Sequence, residues 1–323
     1  MNNQLSNPAA LSLAVLAAFA GIYFIWGTTF LGIALAIQSI PPFIMGAARF
    51  LLAGALMYPW LRLRSSKPFE HVDLRLAALC GVLLSGMGNG FVGWSQQGIP
   101  SGIAALMVTS VPVIVLVFDW AFFSRRTPSK QALAGTAIAV AGVVTIVTHT
   151  RSLSGQAELI HVLVMVTANI AWSLGTLLQK RVARPNAVLS FTCVQMLAGG
   201  AFQLLMSVLD GEWRHFDVAQ VSLTSALAVL YLVVFGSLVA LNCYLWLLTR
   251  VAAQKVTTYA LVNPVVALLL GAFVLHEQLT ALAATAAVLV LLGVALVLFQ
   301  DVRFRRGPRT FFPDRSRTAR SQR

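Results

Sequence analysis

Long apolar runs dominate the chain, broken at short intervals by charges, prolines and glycines. Runs of this length read as helices that cross a bilayer, because about 20 apolar residues span a hydrocarbon core of ~30 Å. Ten are predicted, over residues 11–37, 43–61, 76–97, 101–123, 131–147, 159–179, 188–209, 223–248, 256–275 and 279–299. The first run is long and no Lys or Arg precedes it, so a span is expected there rather than a cleaved leader. The expected fold class is an all-α polytopic membrane protein with ten transmembrane helices.

Composition excludes the alternatives. Of 323 residues, 58% are hydrophobic and only 10% charged, whereas a soluble domain carries about a quarter charged residues. The three cysteines, Cys80, Cys193 and Cys243, lie inside apolar runs and read as small core residues. A net charge of +13 raises the question of nucleic acid, and the placement of the charges answers it. Taking alternate connections as one side of the membrane puts 20 of the 23 Lys and Arg there, from Arg62 to the eight arginines of the tail. That bias is the positive-inside rule, and it predicts that both termini are cytoplasmic. The tail reads as a disordered stretch resting on anionic headgroups, with no folded basic domain behind it to bind nucleic acid.

The second half of the chain repeats the first. Gly27-Thr28 aligns with Gly175-Thr176, Phe24 with Trp172, Ser85 and Trp94 with Ser237 and Trp246, and Pro112 with Pro264. The matches keep their order at a nearly constant offset. Five helices is an odd number, so the second copy enters the bilayer inverted, and inverted repeats place a binding site near the midplane between the copies. The expected organisation is a cytoplasmic N-terminus (1–10), a first five-helix repeat (11–147), a periplasmic linker (148–158), a second repeat (159–299) and a basic cytoplasmic tail (300–323).

Gly88-Asn89-Gly90-Phe91-Val92-Gly93 satisfies the dinucleotide fingerprint GxGxxG, but it lies inside an apolar helix with no acid about 20 residues on. It reads instead as a small-residue face for close helix packing. No HExxH, no GxSxG and no pair of embedded carboxylates is present, so an intramembrane hydrolase lacks its chemistry. Two charges lie within the runs. Asp119, near the end of the fourth, is expected to pair with Arg125 and Arg126. Arg49, about seven residues into the second, could meet a substrate carboxylate or bond helix-end carbonyls and snorkel to the interface; the structural role is the reading taken.

Neutral polar residues are more informative. Asn169, Ser173 and Thr176 share one side of a helix with Trp172, and Ser85, Asn89 and Gln96 form a similar stripe. Such stripes face either a neighbouring helix or a cavity. Trp26, Trp94 and Trp246 read as stacking surfaces or as packing, with Trp94 placed high enough for an interface anchor. Pro112 and Pro264 lie mid-helix in equivalent positions, each removing a donor from the carbonyl four residues earlier, Val108 or Ala260. A kink is the plain reading of either one; their occurrence in both repeats favours a hinge.

Several segments together resemble the EamA family of the drug/metabolite transporter superfamily. They are Trp26-Gly27-Thr28-Thr29-Phe30, Pro41-Pro42 before Arg49-Phe50, Pro100-Ser101-Gly102-Ile103-Ala104, Asn263-Pro264 and His276-Glu277. The resemblance covers 11–299 and implies two inverted five-helix repeats around a cavity walled by helices 1, 3, 4, 6, 8 and 9. The positions it implies for substrate are Trp26, Asn89, Thr109, Ser110, Trp172, Asn242 and Asn263. It implies an inner-membrane exporter of amino acids or similar metabolites. The first helix lacks the embedded Glu of multidrug relatives, which weighs against proton-coupled drug efflux, the alternative function. With no acid, His or Lys at mid-depth, a facilitator is expected, working by alternating access. The expected partners are a small amino acid-like substrate and membrane lipid, with no nucleic acid, no cofactor and no metal, and the chain is taken to act as a monomer.

Overall fold

The computed structural model describes residues 8–124, 127–154, 156–182, 187–251, 256, 258–277 and 281–299. Helix accounts for nearly all of them, and no strand occurs among the described residues. The helices are α1 (Pro8–Ala36), α2 (Pro42–Arg64), α3 (Leu74–Ser95), α4 (Ser101–Phe123) and α5 (Lys130–Ser154), followed by α6 (Gln156–Val182), α7 (Val188–Leu209), α8 (Leu223–Arg250), α9 (Tyr259–Val274) and α10 (Ala281–Leu298). Seven of these, α1 to α4 and α6 to α8, are long and apolar enough to cross a bilayer. The apolar parts described for α5, α9 and α10 are shorter, over Lys130–Thr145, Tyr259–Val274 and Ala284–Leu298. The basic tail, with Arg125 and Arg126 and hence the proposed partners of Asp119, lies outside the described residues.

A backbone in lipid must satisfy its own polar groups, which is why long apolar runs fold as helices. The outward faces stay apolar: Phe24 is 65% exposed and Phe273 78%. Inward faces use small residues to bring backbones together. A Cβ on Gly293 of α10 would stand 2.4 Å from the Ala139 nitrogen of α5, and one on Gly199 of α7 would stand 2.7 Å from the Gly81 carbonyl of α3. The glycines of the GxGxxG stretch serve the same end, Gly88 lying against Trp172 and Gly90 against Gln203. They pack helices and cradle no phosphate.

Residues 148–158, expected as a linker, are helical on both sides of residue 155, α5 running on to Ser154 and α6 starting at Gln156. The stretch contains no proline and ends in good helix formers, so no side chain there compels an early stop.

Helix pairing follows the repeat. α2 packs on α7, α4 on α9 and α5 on α10, each helix against its own counterpart. α1 packs on α8 as α6 packs on α3, and α1 on α9 as α6 on α4. Exchanging the two halves leaves these pairs unchanged, whereas α1 on α4, α4 on α10, α5 on α6 and α9 on α10 have no comparably packed counterpart among the described residues. The equivalent helices α3 and α8 also share an irregularity, a π-helical stretch at Gly81–Gly88 and at Leu232–Leu241. Such wide turns recur at functional sites. Asn89 and Asn242 follow directly on them.

Candidate functional site

A cavity of about 80 Å³ lies between the halves, walled by α1, α2, α3, α4, α6, α8 and α9. These are the six helices the resemblance implied, with α2 added. Trp26 is the centre of its aromatic wall. Its ring meets Trp172 edge-on at 6.0 Å, Tyr259 edge-on at 4.9 Å and Tyr244 at 5.1 Å, and its indole nitrogen donates to the Gly236 carbonyl at 3.3 Å. Edge-to-face pairs add about 0.5–1.5 kcal/mol each beyond area burial, so this ring is held in place before any ligand arrives.

Of the seven residues singled out from sequence, Trp26, Asn89, Trp172 and Asn263 line the cavity. The Asn89 amide nitrogen donates to the Leu84 carbonyl at 3.1 Å, within the π-helical stretch of α3. Asn263 donates to the carbonyls of Tyr23 at 3.0 Å and Tyr259 at 3.2 Å, tying α9 to α1. Thr109, Ser110 and Asn242 are not in the lining. Asn242 donates to the Leu238 carbonyl of its own helix at 2.7 Å, and its side-chain oxygen is buried without a partner. Asn242 is one position past the counterpart of Asn89: at the offset that pairs Ser85 with Ser237 and Trp94 with Trp246, Asn89 falls on Leu241, and Leu241 is in the lining.

Thr109 and Ser110 make a turn that interrupts α4 between Val108 and Val111. Their amides bond three residues back, to Leu106 and Met107, each at 3.1 Å. Carbonyls loosened by such a break need other donors. Asn169 supplies one to Met107 at 2.8 Å and also reaches the Ser110 hydroxyl at 3.1 Å, while Ser173 approaches the Val111 carbonyl at 3.5 Å. The α6 stripe is thus the support of the α4 break, with Asn169 also in the cavity wall. Pro112 stands just after the break, where its missing N–H costs nothing. Pro264 differs from the expectation of two broken helices. α9 runs uninterrupted from Tyr259 to Val274 with Pro264 inside it, and Asn263 bonds the loosened turn at Tyr259.

Arg49 was missed as a cavity residue. It is 4% exposed and lines the cavity rather than snorkelling to an interface. Its Nε donates to the Ser237 hydroxyl of α8 at 2.9 Å. The sequence signal was present: an Arg about 10 Å along α2 from its start is too deep for its head to reach that end along an inward-facing path.

One end of the bundle is closed by polar contacts between the halves. α2 and α4 start after Pro41 and Pro100, which supply no side-chain cap. Glu212 accepts from the amides of Phe43 at 2.9 Å and Ile44 at 2.8 Å, and Glu277 from Ser101 at 2.7 Å and Gly102 at 3.1 Å. Both carboxylates come from the second half and cap helices of the first, where the helix dipole also favours a negative charge. Burial pushes the Glu212 carboxyl above its ordinary value, with nearby Asp210 adding to the rise and the two amides opposing it. At the same end Trp94 stacks on His161 at 4.7 Å and donates to Asp210 at 3.3 Å. Ser39 and Ser222 oxygens lie 3.4 Å apart.

An all-helical bundle of membrane-length helices, built from two paired halves around an aromatic and amide-lined cavity, has the architecture of a membrane transporter rather than an enzyme. The sequence profile of the EamA-like transporter family matches residues 10–148 and 159–299, and the chain belongs to that family. It is 35% identical over 286 residues to the "Uncharacterized inner membrane transporter YedA" of Escherichia coli (strain K12), covering 88% of this chain and 90% of that protein. It is 25% identical over 284 residues to the "Probable amino-acid metabolite efflux pump" of the same strain, covering 85% and 91%. A crystal structure 20% identical in sequence superposes with a TM-score of 0.62, covering 88% of this chain and 96% of that one, and shows the same fold.

Proposed function

We propose that the chain is an inner-membrane carrier that exports amino acids or similar small metabolites by alternating access. The observation that carries this reading is the cavity between the halves, where the aromatic rings of Trp26 and Trp172 face the amides of Asn89 and Asn263. Rings suit an apolar body and amides suit polar ends. The names of the relatives, an inner membrane transporter and an amino-acid metabolite efflux pump, support the location and the substrate class. On this reading all ten helices span, both termini are cytoplasmic, and the end closed by Glu212 and Glu277 is periplasmic, as the charge bias favours. The chain acts as a monomer in lipid.

Coupling is the facilitated kind. The described cavity lining contains no Asp, Glu, His or Lys whose protonation could compete with substrate, so net export follows the substrate's own gradient. The test uses purified protein in vesicles loaded with a panel of amino acids. Efflux down the gradient is expected, with no accumulation driven by an imposed pH gradient. Uphill accumulation that collapses on adding a protonophore would falsify the facilitator mechanism.

A further inference from the structure

We infer that Arg49 is the anion-binding group of the cavity, and that the site takes a small organic monocarboxylate for which an amino group is not required. The inference rests on the transporter reading above and, within its substrate class, selects the related carboxylate metabolites over the amino acids themselves.

A guanidinium carries five N–H donors. Among the described residues, Arg49 donates Nε to Ser237, its guanidinium lies 4.7 Å over the ring of Phe50, which also lines the cavity, and its two terminal nitrogens form no hydrogen bond. Nor does a carboxylate lie within ion-pair distance, since the one described ion pair joins Lys67 and Glu70 at the surface. The acids at the closed end are committed elsewhere: Glu212 and Glu277 to helix ends, and Asp210 to Trp94. A charge this deep, without a counter-ion, is costly and marks a binding function.

The guanidinium lies at the cavity wall, close to the α8 backbone. Gly236 of α8 lines the cavity too, and a Cβ there would stand 2.9 Å from the terminal Nη2 of Arg49. A plain strut between α2 and α8 needs only the Nε bond. The free edge, with parallel N–H groups, matches the two oxygens of a carboxylate. Trp26, Trp172 and Tyr259 then receive the apolar body of the ligand. An ammonium would find only neutral partners, amide oxygens and ring faces, and would be repelled by Arg49, so a ligand of net charge −1 is preferred to a zwitterion.

The charge has a consequence for direction. A monoanion leaving a cell that is negative inside moves down the electrical gradient. Each 100 mV is worth ~2.3 kcal/mol per charge, which sets an outward gradient of about 50-fold. Export then needs no proton site.

Calorimetric titration of the detergent-purified protein tests the inference with benzoate against benzamide and phenylalanine against its amide. Each carboxylate is expected to bind about 10- to 100-fold tighter than its amide, the range of charge-assisted hydrogen bonds. Benzoate should bind at least as well as phenylalanine. In Arg49→Gln the preference should vanish; should that variant fail to fold, Arg49→Lys, which keeps the charge and loses the fork, should show a reduced ratio. Equal binding of acid and amide by the wild type, or binding of neither acid, overturns the inference. So does a preference that survives in both variants. Vesicles that export amino acids and their amides alike would uphold the transporter reading and sink this one. Benzoate bound through Arg49 by a protein that exports no member of the panel would do the reverse.

Discussion

Glu277 shows how one residue is placed by its neighbours. α9 ends at Leu275, His276 takes a left-handed φ of 55°, and the chain turns so that the Glu277 amide bonds back to the Gly271 carbonyl at 3.0 Å. The carboxylate then lies over Gly271, where a Cβ would come within 2.4 Å of its oxygen, and reaches the first amides of α4. Two substitutions at different places should therefore have the same effect. Glu277→Ala removes the acceptor, and Gly271→Ala displaces it. Each is expected to lower stability by about 1–3 kcal/mol, the cost of stranding partly buried donors, as read from thermal unfolding in detergent. A double variant should cost little more than either single change, because both break the same contact. Fully additive losses would show that the capping contact is not what the two residues share.

Along the helices, the sequence disclosed which residues are polar and buried but not what they face. Apolar runs marked helix positions well, since a continuous run of about 20 apolar residues satisfies its own backbone in lipid by forming a helix. The stripe of Asn169, Ser173 and Thr176 was legible as inward-facing, yet its main task, supplying donors to the α4 break, depends on where α4 lies. The depth of Arg49 along α2 was legible but its partner was not: the bond to Ser237 follows from α8 passing over it. Asn242 lies outside the lining for a reason already in the sequence: at the offset that pairs Ser85 with Ser237 and Trp94 with Trp246, Asn89 falls on Leu241, the residue that lines the cavity. The prolines were equivalent in sequence and are unequal in structure, α4 being interrupted and α9 continuous. Unequal consequences follow. Pro112→Ala is expected to slow transport severalfold while the protein stays folded, because the break it adjoins gains the option of closing into a continuous helix. Pro264→Ala should have the smaller effect. Wild-type rates in vesicles for both variants would reduce the two prolines to packing features.

At the scale of the molecule, most helix pairs recur when the halves are exchanged while α1 on α4 and α5 on α6 do not. The halves therefore stand in unequal relations, and exchanging those relations gives the second state of an inverted repeat. Alternating access in inverted repeats is a rocking of one half against the other around a fixed site. The end now closed is held by contacts that cross between halves: Glu212 on α2, Glu277 on α4, Trp94 on Asp210 and Ser39 on Ser222. Each is a hydrogen bond at a helix end, strong enough to hold and weak enough to release. If transport requires this end to open, a covalent link across it must stop the cycle. Ser39 and Ser222 suit the purpose, because their oxygens are 3.4 Å apart, with Ser222 exposed and Ser39 half-buried. In a Ser39→Cys, Ser222→Cys variant, with the three native cysteines replaced, oxidation should abolish vesicle transport and a reductant should restore it. Each single cysteine variant should transport throughout. Undiminished transport by the cross-linked protein would mean that this end does not open, and that the substrate leaves the cavity by another path.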